Sequence, residues 1–399
     1  MPKNLTIDSP PPSAGLVVED ASPVIQFNRP YAAPKSFDYM RQAITHSHTC
    51  GGGPFTSHCH KFLEDQLGTA KALLTTSCTD ALEMCALLLG IGPGDEVIVP
   101  AFTFVSTVNA FVLHGATPVF CDIRADTLNL DESTVERLIS PRTKAIIVVH
   151  YAGIGCEMDS IMEIAARHGI AVVEDNAHGL FAKYRGRFLG TFGCLATQSF
   201  HETKNFNCGE GGALLINDPT LIERAEILRE KGTDRSRFFL GQVDKYTWVD
   251  VGSSFLPSDM LAAYLFAQFE ISHEIQEMRR RIWTCYEHGL KSWAANNSVQ
   301  MPLVPDHCEQ PYHLFYLILP SLADRQALIA HLKTLGILSP FHYQPLHLSK
   351  KGREFGGKPG DCPVTERVSD RLLRLPFYND LTEADLQRVV AGVISFRVS

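Results

Sequence analysis

The chain has 399 residues, of which 45% are hydrophobic, so it can bury a large core and form two domains. Its formal net charge of −8 and its lack of a long Lys/Arg run argue against nucleic acid or an anionic membrane surface as the main partner. Residues 1–22 hold no apolar stretch of signal-peptide length, and no run elsewhere approaches the length of a membrane span. We therefore expect a cytoplasmic protein in which residues 1–22 form a short disordered leader.

The cysteines indicate neither a disulfide framework nor a zinc site. There are eleven of them, an odd number, and no two have C-x-x-C spacing. One denser group of possible metal ligands comprises His46, His48, Cys50, His58, Cys59 and His60. The run Gly-Gly-Gly-Pro at 51–54 interrupts this group and favours a polar loop, so we predict no metal.

Residues 70–216 predict a mostly parallel sheet covered by helices, because apolar runs of strand length alternate there with helical patterns. A helix over residues 80–89 follows the first strand, since its apolar residues recur at i, i+3, i+4 and i+7. The predicted strands are residues 72–75, 96–100, 118–122, 145–150, 170–175, 196–200 and 213–216.

The remaining chain predicts a smaller α/β domain. Helical patterns cover residues 218–230 and about 258–294, and a strand is expected at 314–319. Further helices are expected near 323–335, 364–374 and 383–394. We predict a large domain over 23–270 and a small C-terminal domain over 271–399.

Three predicted strand ends carry chemically informative residues. Lys204 follows the strand at 196–200, Asp175 ends the strand at 170–175, and the run Ser-Cys-Thr at 77–79 opens a helix. In open α/β sheets, ligands bind beyond the carboxyl ends of the strands. Each feature alone is common as a helix cap or a solvated lysine. Together they match the needs of pyridoxal 5′-phosphate (PLP): a lysine that forms a Schiff base, a carboxylate that keeps the pyridine nitrogen protonated, and helix amides for the phosphate.

The order of five motifs resembles the DegT/DnrJ/StrS sugar-nucleotide aminotransferases from about residue 27 to the C-terminus. The motifs are SCT at 77–79, PAFTF at 100–104, EDNAH at 174–178, SFHETKN at 199–205 and GEGG at 209–212. The resemblance implies PLP-dependent transferase fold type I, as in aspartate aminotransferase, with a mixed, mostly parallel sheet in the large domain. It also implies a homodimer with its sites at the subunit interface.

Carried over residue by residue, the resemblance makes Lys204 the Schiff-base lysine and Asp175 the partner of the pyridinium nitrogen. Phe104 would stack on the ring, and His178 would lie beside it near its hydroxyl. The implied ligands of the cofactor phosphate are Cys78, Thr79 and Ser199.

Three longer runs resemble one subgroup of the family, which makes dTDP-4-amino-4,6-dideoxygalactose. The runs are LEM at 82–84, REKGT at 229–233, and GQVDKYTW at 241–248 followed by GSS at 252–254. This resemblance implies dTDP-4-keto-6-deoxyglucose as the acceptor and L-glutamate as the amino donor. Other outcomes stay open: the gluco product, a 3-amino product, or a UDP-linked sugar.

Candidate substrate contacts come from two segments. Arg229 and Lys231 offer positive charge for a pyrophosphate, although a solvated helix end explains them equally well. In the run FHYQPLH at 341–347, which resembles a family segment near the sugar, Tyr343 and His347 are the candidates.

Two positions depart from the family pattern. His178 stands where the most similar relatives carry Gln, which affects specificity rather than cofactor binding. Leu256 stands where many members place an Asn from the neighbouring subunit on the phosphate, so Ser253 or Ser254 would have to substitute.

Rival functions are less well supported. Dehydratases of the same family carry His in place of Lys204, which argues for amino transfer. A nicotinamide-dependent oxidoreductase would rely on Gly153 and Gly155, but Met158 stands where the third glycine of that fingerprint would fall. A non-enzymatic binding module has no supporting feature.

Overall fold

The computed structural model describes residues 23–45, 48–239 and 241–399, so the predicted leader lies outside the described residues. The helices are α1 (Ser36–Thr45), α2 (Pro54–Leu67), α3 (Cys78–Leu88), α4 (Ser106–Val112), α5 (Glu132–Leu138), α6 (Met158–His168), α7 (Ile222–Arg229), α8 (Arg235–Phe239), α9 (Asp259–Phe269), α10 (Ser272–Asn296), α11 (Leu322–Thr334), α12 (Lys350–Glu354), α13 (Pro363–Arg371) and α14 (Glu383–Ile394). The strands are β1 (Lys71–Thr75), β2 (Glu96–Pro100), β3 (Thr117–Cys121), β4 (Thr143–Val149), β5 (Ala171–Asp175), β6 (Lys183–Tyr184), β7 (Arg187–Phe188), β8 (Leu195–Ser199), β9 (Gly212–Ile216), β10 (Cys308–Glu309), β11 (Tyr316–Ile318) and β12 (Leu372–Arg374).

A seven-stranded sheet forms the centre of the molecule, in the order β1-β9-β8-β5-β4-β2-β3. The five strands from β8 to β3 run parallel, whereas β9 pairs antiparallel with both β8 and β1. The seven strands predicted from the sequence are all present, with ends within two residues of the expected ones. The α/β class and the mixed, mostly parallel sheet are therefore confirmed.

The sheet is buried on both faces, which explains why its strands read as continuous apolar runs. In β4, Ala145 and Ile147 pack with α3 on one face, while Ile146 and Val148 pack with α6 on the other. This alternation follows from the two-residue period of a strand. The carboxyl ends of the parallel strands consequently meet at one edge, where the polar motifs lie.

The C-terminal part has its own apolar cluster, built on α10. Ile282, Tyr286 and Leu290 are fully buried at four-residue spacing and share a cluster with residues of α11 and α14. None of the described helices is both long and apolar enough to cross a membrane. A domain boundary near residue 270 stays a prediction.

Residues 372–374 do not form the predicted helix. They form β12, which pairs antiparallel with β11 and sets Leu372 opposite Ile318. Leu372 and Leu373 are both fully buried, and because successive strand residues point to opposite faces, both faces of β12 are covered. The third residue of this strand, Arg374, lies on the wall of the candidate active site.

The histidine and cysteine group does not form the expected polar loop throughout. His58, Cys59 and His60 lie on α2, where Cys59 is fully buried, and His46 lies outside the described residues. In the described part of the chain, no group of three or more His, Cys, Asp or Glu side chains comes together in a metal-binding arrangement.

Candidate active site

A cavity of about 590 Å³ lies beyond the carboxyl ends of β5 and β8. The N-terminus of α3 lies on one side, and residues of the C-terminal part, among them Tyr343 and Arg374, lie on another. Among the residues that line the cavity are all seven predicted cofactor ligands, which are Cys78, Thr79, Phe104, Asp175, His178, Ser199 and Lys204. The fold thus brings together groups spread over 127 residues of sequence, as the strand-end argument requires.

Lys204 lies in a tight loop after β8, where its backbone N–H donates to the carbonyl oxygen of His201 (2.9 Å). Burial lowers the pKa of its amine to about 8, while the carboxylate of Asp175 opposes the shift. A substantial fraction of the amine is therefore neutral near pH 8. Neutral amines are the nucleophilic form, so the environment prepares Lys204 for covalent chemistry.

Asp175 is held rigidly at the end of β5. Its Oδ2 accepts a hydrogen bond from the hydroxyl of Thr107 (2.7 Å), and its Oδ1 accepts one from the backbone N–H of Ala177 (3.2 Å). Burial nevertheless raises the pKa of this carboxyl above its ordinary value. A cation paired with the carboxylate would lower this pKa again. A pyridinium N–H would supply that cation.

The preceding residue, Glu174, anchors the strand from the other face of the sheet. Its fully buried carboxylate accepts hydrogen bonds from three backbone amides of residues 190–193 (2.6–2.8 Å) and contacts the Nε2 of His150 (3.0 Å). The backbone N–H of Cys156 donates to the Nδ1 of that histidine (3.2 Å), so the proton is on Nε2, which donates to Glu174. This network fixes the direction in which Asp175 points.

The first turn of α3 offers an anion site. Ser77 caps the helix by accepting a hydrogen bond from the backbone N–H of Asp80 (3.0 Å), while the amides of Cys78 and Thr79 have no acceptor within the helix. Gly212 on β9 lies against this turn, because a Cβ there would be only 2.4 Å from the backbone nitrogen of Cys78. The turn can therefore bind a phosphate through backbone N–H groups.

His178 is a neutral hydrogen-bond donor on the cavity wall. Burial lowers its pKa well below the ordinary value. The backbone N–H of Ala152 donates to its Nδ1 (3.3 Å), which places the ring proton on Nε2. Its ring stacks on that of His313 (centroids 4.2 Å apart). An Nε2–H donor can replace the amide N–H of the Gln expected here, so the departure from the family pattern preserves a donor.

The wall opposite the strand ends is aromatic. The ring of Tyr343 lies 5.5 Å from that of Phe102 and 6.3 Å from that of Phe104. Phe104 is 58% exposed, so one of its faces is available to a planar ligand. Among the lining residues that were not predicted from the sequence are His313, His342 and Arg374. His342 adjoins Tyr343 in a run already singled out, whereas nothing local marked the other two.

Three predicted substrate residues do not line this cavity. His347 is fully buried and contacts Glu366 (Nε2 to Oε1, 3.0 Å), so a contact between this histidine and the sugar is not supported by the cavity. Arg229 lies against His60, with Nη1 3.3 Å from Nε2, and burial lowers its pKa. Lys231 is exposed and pairs with Glu230, so a role for it at the pyrophosphate stays a prediction.

The residues present fit PLP at three separate points. The first turn of α3 offers helix amides without an acceptor in the helix, Asp175 is a buried carboxyl with a raised pKa, and Lys204 is an amine with a lowered pKa. The exposed face of Phe104 can cover the ring, and the Nε2–H of His178 can donate to its hydroxyl. The site therefore has a donor or acceptor for each polar group of this cofactor.

Comparison with known proteins also indicates a PLP-dependent aminotransferase. Residues 32–394 match the DegT/DnrJ/EryC1/StrS aminotransferase family. A GDP-perosamine synthase of Caulobacter vibrioides is 34% identical over 361 residues, covering 89% of this chain and 94% of the relative.

Solved structures are similar over nearly the whole chain. DesV of S. venezuelae superposes with a TM-score of 0.84 at 30% identity, covering 95% of this chain and all of the other. Spr1654 of Streptococcus pneumoniae, solved in a PLP form, superposes with a TM-score of 0.86 at 26% identity and covers 93% and 98% of the two chains.

Proposed function

Since the chain belongs to the DegT/DnrJ/EryC1/StrS aminotransferase family, and is a PLP-dependent sugar aminotransferase, we propose that it acts on dTDP-4-keto-6-deoxy-D-glucose. L-Glutamate would donate the amino group, and the product would be dTDP-4-amino-4,6-dideoxygalactose. The observation that carries amino transfer is Lys204 itself: an amine with a pKa of about 8 shares one cavity with the buried carboxylate of Asp175. A histidine at this position would favour dehydration instead.

When bound, PLP supplies an aldehyde for the donor amine and a ring that withdraws electrons from the reacting carbon. The first amides of α3, together with the hydroxyls of Thr79 and Ser199, would hold its phosphate. Asp175 would keep the ring nitrogen protonated through a charge-assisted hydrogen bond. Lys204, once its amine is free, would move a proton to and from the donor carbon as general base and acid.

The choice of sugar rests on the runs at 229–233 and 241–248. The second run is exposed, with Trp248 77% accessible, and is therefore placed to contact a ligand or another subunit. Phe104 at the cavity mouth is exposed as well. We propose that a second copy of the chain covers these surfaces in a homodimer. The similarity to a GDP-perosamine synthase favours a GDP-linked sugar as the second candidate substrate.

Product analysis tests the proposed substrate. We expect the enzyme, incubated with L-glutamate and dTDP-4-keto-6-deoxyglucose, to give a single amino sugar whose C4 proton shows the small equatorial couplings of the galacto isomer in NMR. The GDP-linked 4-keto-6-deoxy sugar should react at a lower kcat/KM. Large axial couplings at C4, or faster turnover of the GDP sugar, would contradict the proposal.

The lowered pKa of Lys204 predicts how cofactor attachment depends on pH. The neutral amine attacks the aldehyde, so the rate of PLP attachment to the cofactor-free enzyme should rise about tenfold per pH unit below the pKa and level off above about 8. The measurement is stopped-flow absorbance between pH 6 and 9.5. A rate that continues to climb up to pH 9.5 would show an ordinary lysine pKa instead.

A further inference from the structure

The side chain of His178, which can donate to the cofactor's ring hydroxyl, is only weakly held by its own hydrogen bonds. It lies in the turn after β5, and among the described residues its ring makes one such bond, in which Nδ1 accepts from the backbone N–H of Ala152 (3.3 Å). One bond leaves the ring free to rotate about its axis, and the ring torsion of a histidine is only broadly restricted by itself. The direction of the Nε2–H therefore depends on what packs against the ring.

The ring of His313 packs against it. The two centroids lie 4.2 Å apart, with 26° between the planes, and both side chains line the cavity. Aromatic pairs in proteins usually have centroids about 4.5 to 7 Å apart, so this is a close stack. A flat neighbour at that distance prevents the ring of His178 from turning out of its plane.

The orientation and the tautomer of His313 are fixed in turn by Asn205, the residue after Lys204. Asn205 is buried, and its Nδ2 donates to the carbonyl oxygen of Pro311 (2.7 Å). Its Oδ1 therefore faces the Nδ1 of His313 (2.8 Å), and because an amide oxygen only accepts, the proton of His313 is on Nδ1. Burial lowers the pKa of His313 well below its ordinary value, so two neutral rings stack without charge repulsion.

The segment that carries His313 is held firmly. Arg279 of α10 donates from Nε to the carbonyl oxygen of Tyr312 (2.9 Å) and from Nη2 to that of His313. Tyr312 has a φ of 54°, in the left-handed region that residues other than glycine seldom adopt. A residue keeps such a conformation only where its surroundings hold it. His313 thus has a fixed backbone from which to support its neighbour.

We propose that His313 is a positioning residue: it holds the ring of His178 so that the Nε2–H points at the hydroxyl of the cofactor, and it ties this donor to the Lys204 loop through Asn205. The inference rests on the proposed contact between His178 and that hydroxyl, and it adds a residue that acts through His178. It also accounts for the different tautomers of the two rings. His178 keeps its proton on the nitrogen that is free for the cofactor, whereas His313 uses its proton to bond Asn205.

The test is a spectrophotometric pH titration of the PLP-loaded enzyme. PLP bound to Lys204 absorbs at different wavelengths with and without a proton on the linking nitrogen, and a donor to the ionised ring oxygen stabilises the form without this proton. Loss of the donor should therefore raise the pH at the spectral midpoint. We expect His313→Ala to raise it by about 0.5 to 1 pH unit, the size of one hydrogen bond. The other titratable or charged groups that face the two stacked rings stay in place in this variant, and they are Tyr151, Lys204, Arg279, His342 and Arg374.

Two further variants frame this result. His313→Phe should raise the midpoint less, because the flat ring is kept and only the bond to Asn205 is lost, and it carries the same test if the alanine variant does not fold. His307→Ala is the matched control. His307 also packs on an aromatic ring, that of Tyr184 (5.1 Å), and contacts Glu157 (Nε2 to Oε1, 3.0 Å), but it does not line the cavity. Its midpoint should equal that of the wild type.

A double variant separates positioning from direct contact with the cofactor. If His313 acts through His178, His178→Ala should raise the midpoint at least as far as His313→Ala does, and combining the two should add nothing. An unchanged midpoint in His313→Ala overturns the proposal, and so does an additive shift in the double variant. An unchanged midpoint in His178→Ala also overturns it, together with the placement of His178 beside the hydroxyl. The titration uses no sugar, so either failure is distinct from a failure of the proposed substrate.

Discussion

Replacing Lys204 with alanine is expected to lower turnover by at least about 10³-fold, while the protein remains folded. The amine has two functions in the proposed reaction: it holds the cofactor, and it moves the proton at the donor carbon. No other amine is among the described residues that line the cavity, so nothing there can replace it. The measurement is steady-state amino transfer from L-glutamate, with product quantified by chromatography.

Borohydride reduction gives a second readout for this variant. Reduction should fix PLP to the wild-type chain, which mass spectrometry detects, and should not fix it to Lys204→Ala. Lys183→Ala is the matched control, because Lys183 is also partly buried but pairs with Glu309 away from the cavity (3.1 Å). Wild-type turnover in Lys204→Ala would show that another residue is the nucleophile.

Asp175→Asn is expected to lower kcat by about 10²- to 10³-fold with PLP still bound, because an amide cannot stabilise a protonated ring nitrogen as a carboxylate does. Asp126→Asn is a suitable control. It removes a carboxylate that pairs with Arg124 (2.7 Å) and does not line the cavity, so its turnover should match that of the wild type. Full activity of Asp175→Asn would mean that the ring nitrogen needs no charged partner.

Asp175→Asn is expected to raise the free energy of unfolding of the cofactor-free protein, although it lowers kcat. Burial raises the folded-state pKa of Asp175, so between its unfolded and folded pKa values the folded, cofactor-free chain binds more protons than the unfolded one. The free energy of unfolding therefore falls as pH rises through that range, and the asparagine variant should lose this part of the pH dependence. Urea unfolding of the cofactor-free protein at several pH values measures the difference. An unchanged pH profile would indicate that the carboxylate is already compensated in the folded chain.

Much of the site was predictable because its signals are local. Lys204 and Asp175 each follow a buried apolar run, and the Ser-Cys-Thr turn precedes a helix with an apolar face. Strand ends in a parallel sheet converge, so sequence order and strand assignment together suffice to place these groups in one cavity. PLP was predicted on that basis and is confirmed by the family and by a relative solved in a PLP form.

The side chains that the C-terminal part contributes to the cavity wall were not predictable in the same way. His347 and Tyr343 stand four residues apart in one run, yet one is fully buried against Glu366 and the other lines the cavity. A turn with no regular period does not reveal which of its side chains faces a ligand. Arg229 was likewise expected at the surface, and its burial beside His60 depends on contact with α2, which is 162 residues or more away in sequence.

The sequence by itself determined the α/β fold, the cofactor and the pair Lys204 and Asp175, because apolar periodicity and strand ends are properties of adjacent residues. Only the tertiary structure decided that residues 372–374 form a strand, since pairing with β11 and burial between layers outweigh local helical pattern. That decision carries Arg374 from a predicted helix face to the cavity wall. The presence of this charge on the cavity wall therefore depends on a contact between segments 54 to 58 residues apart.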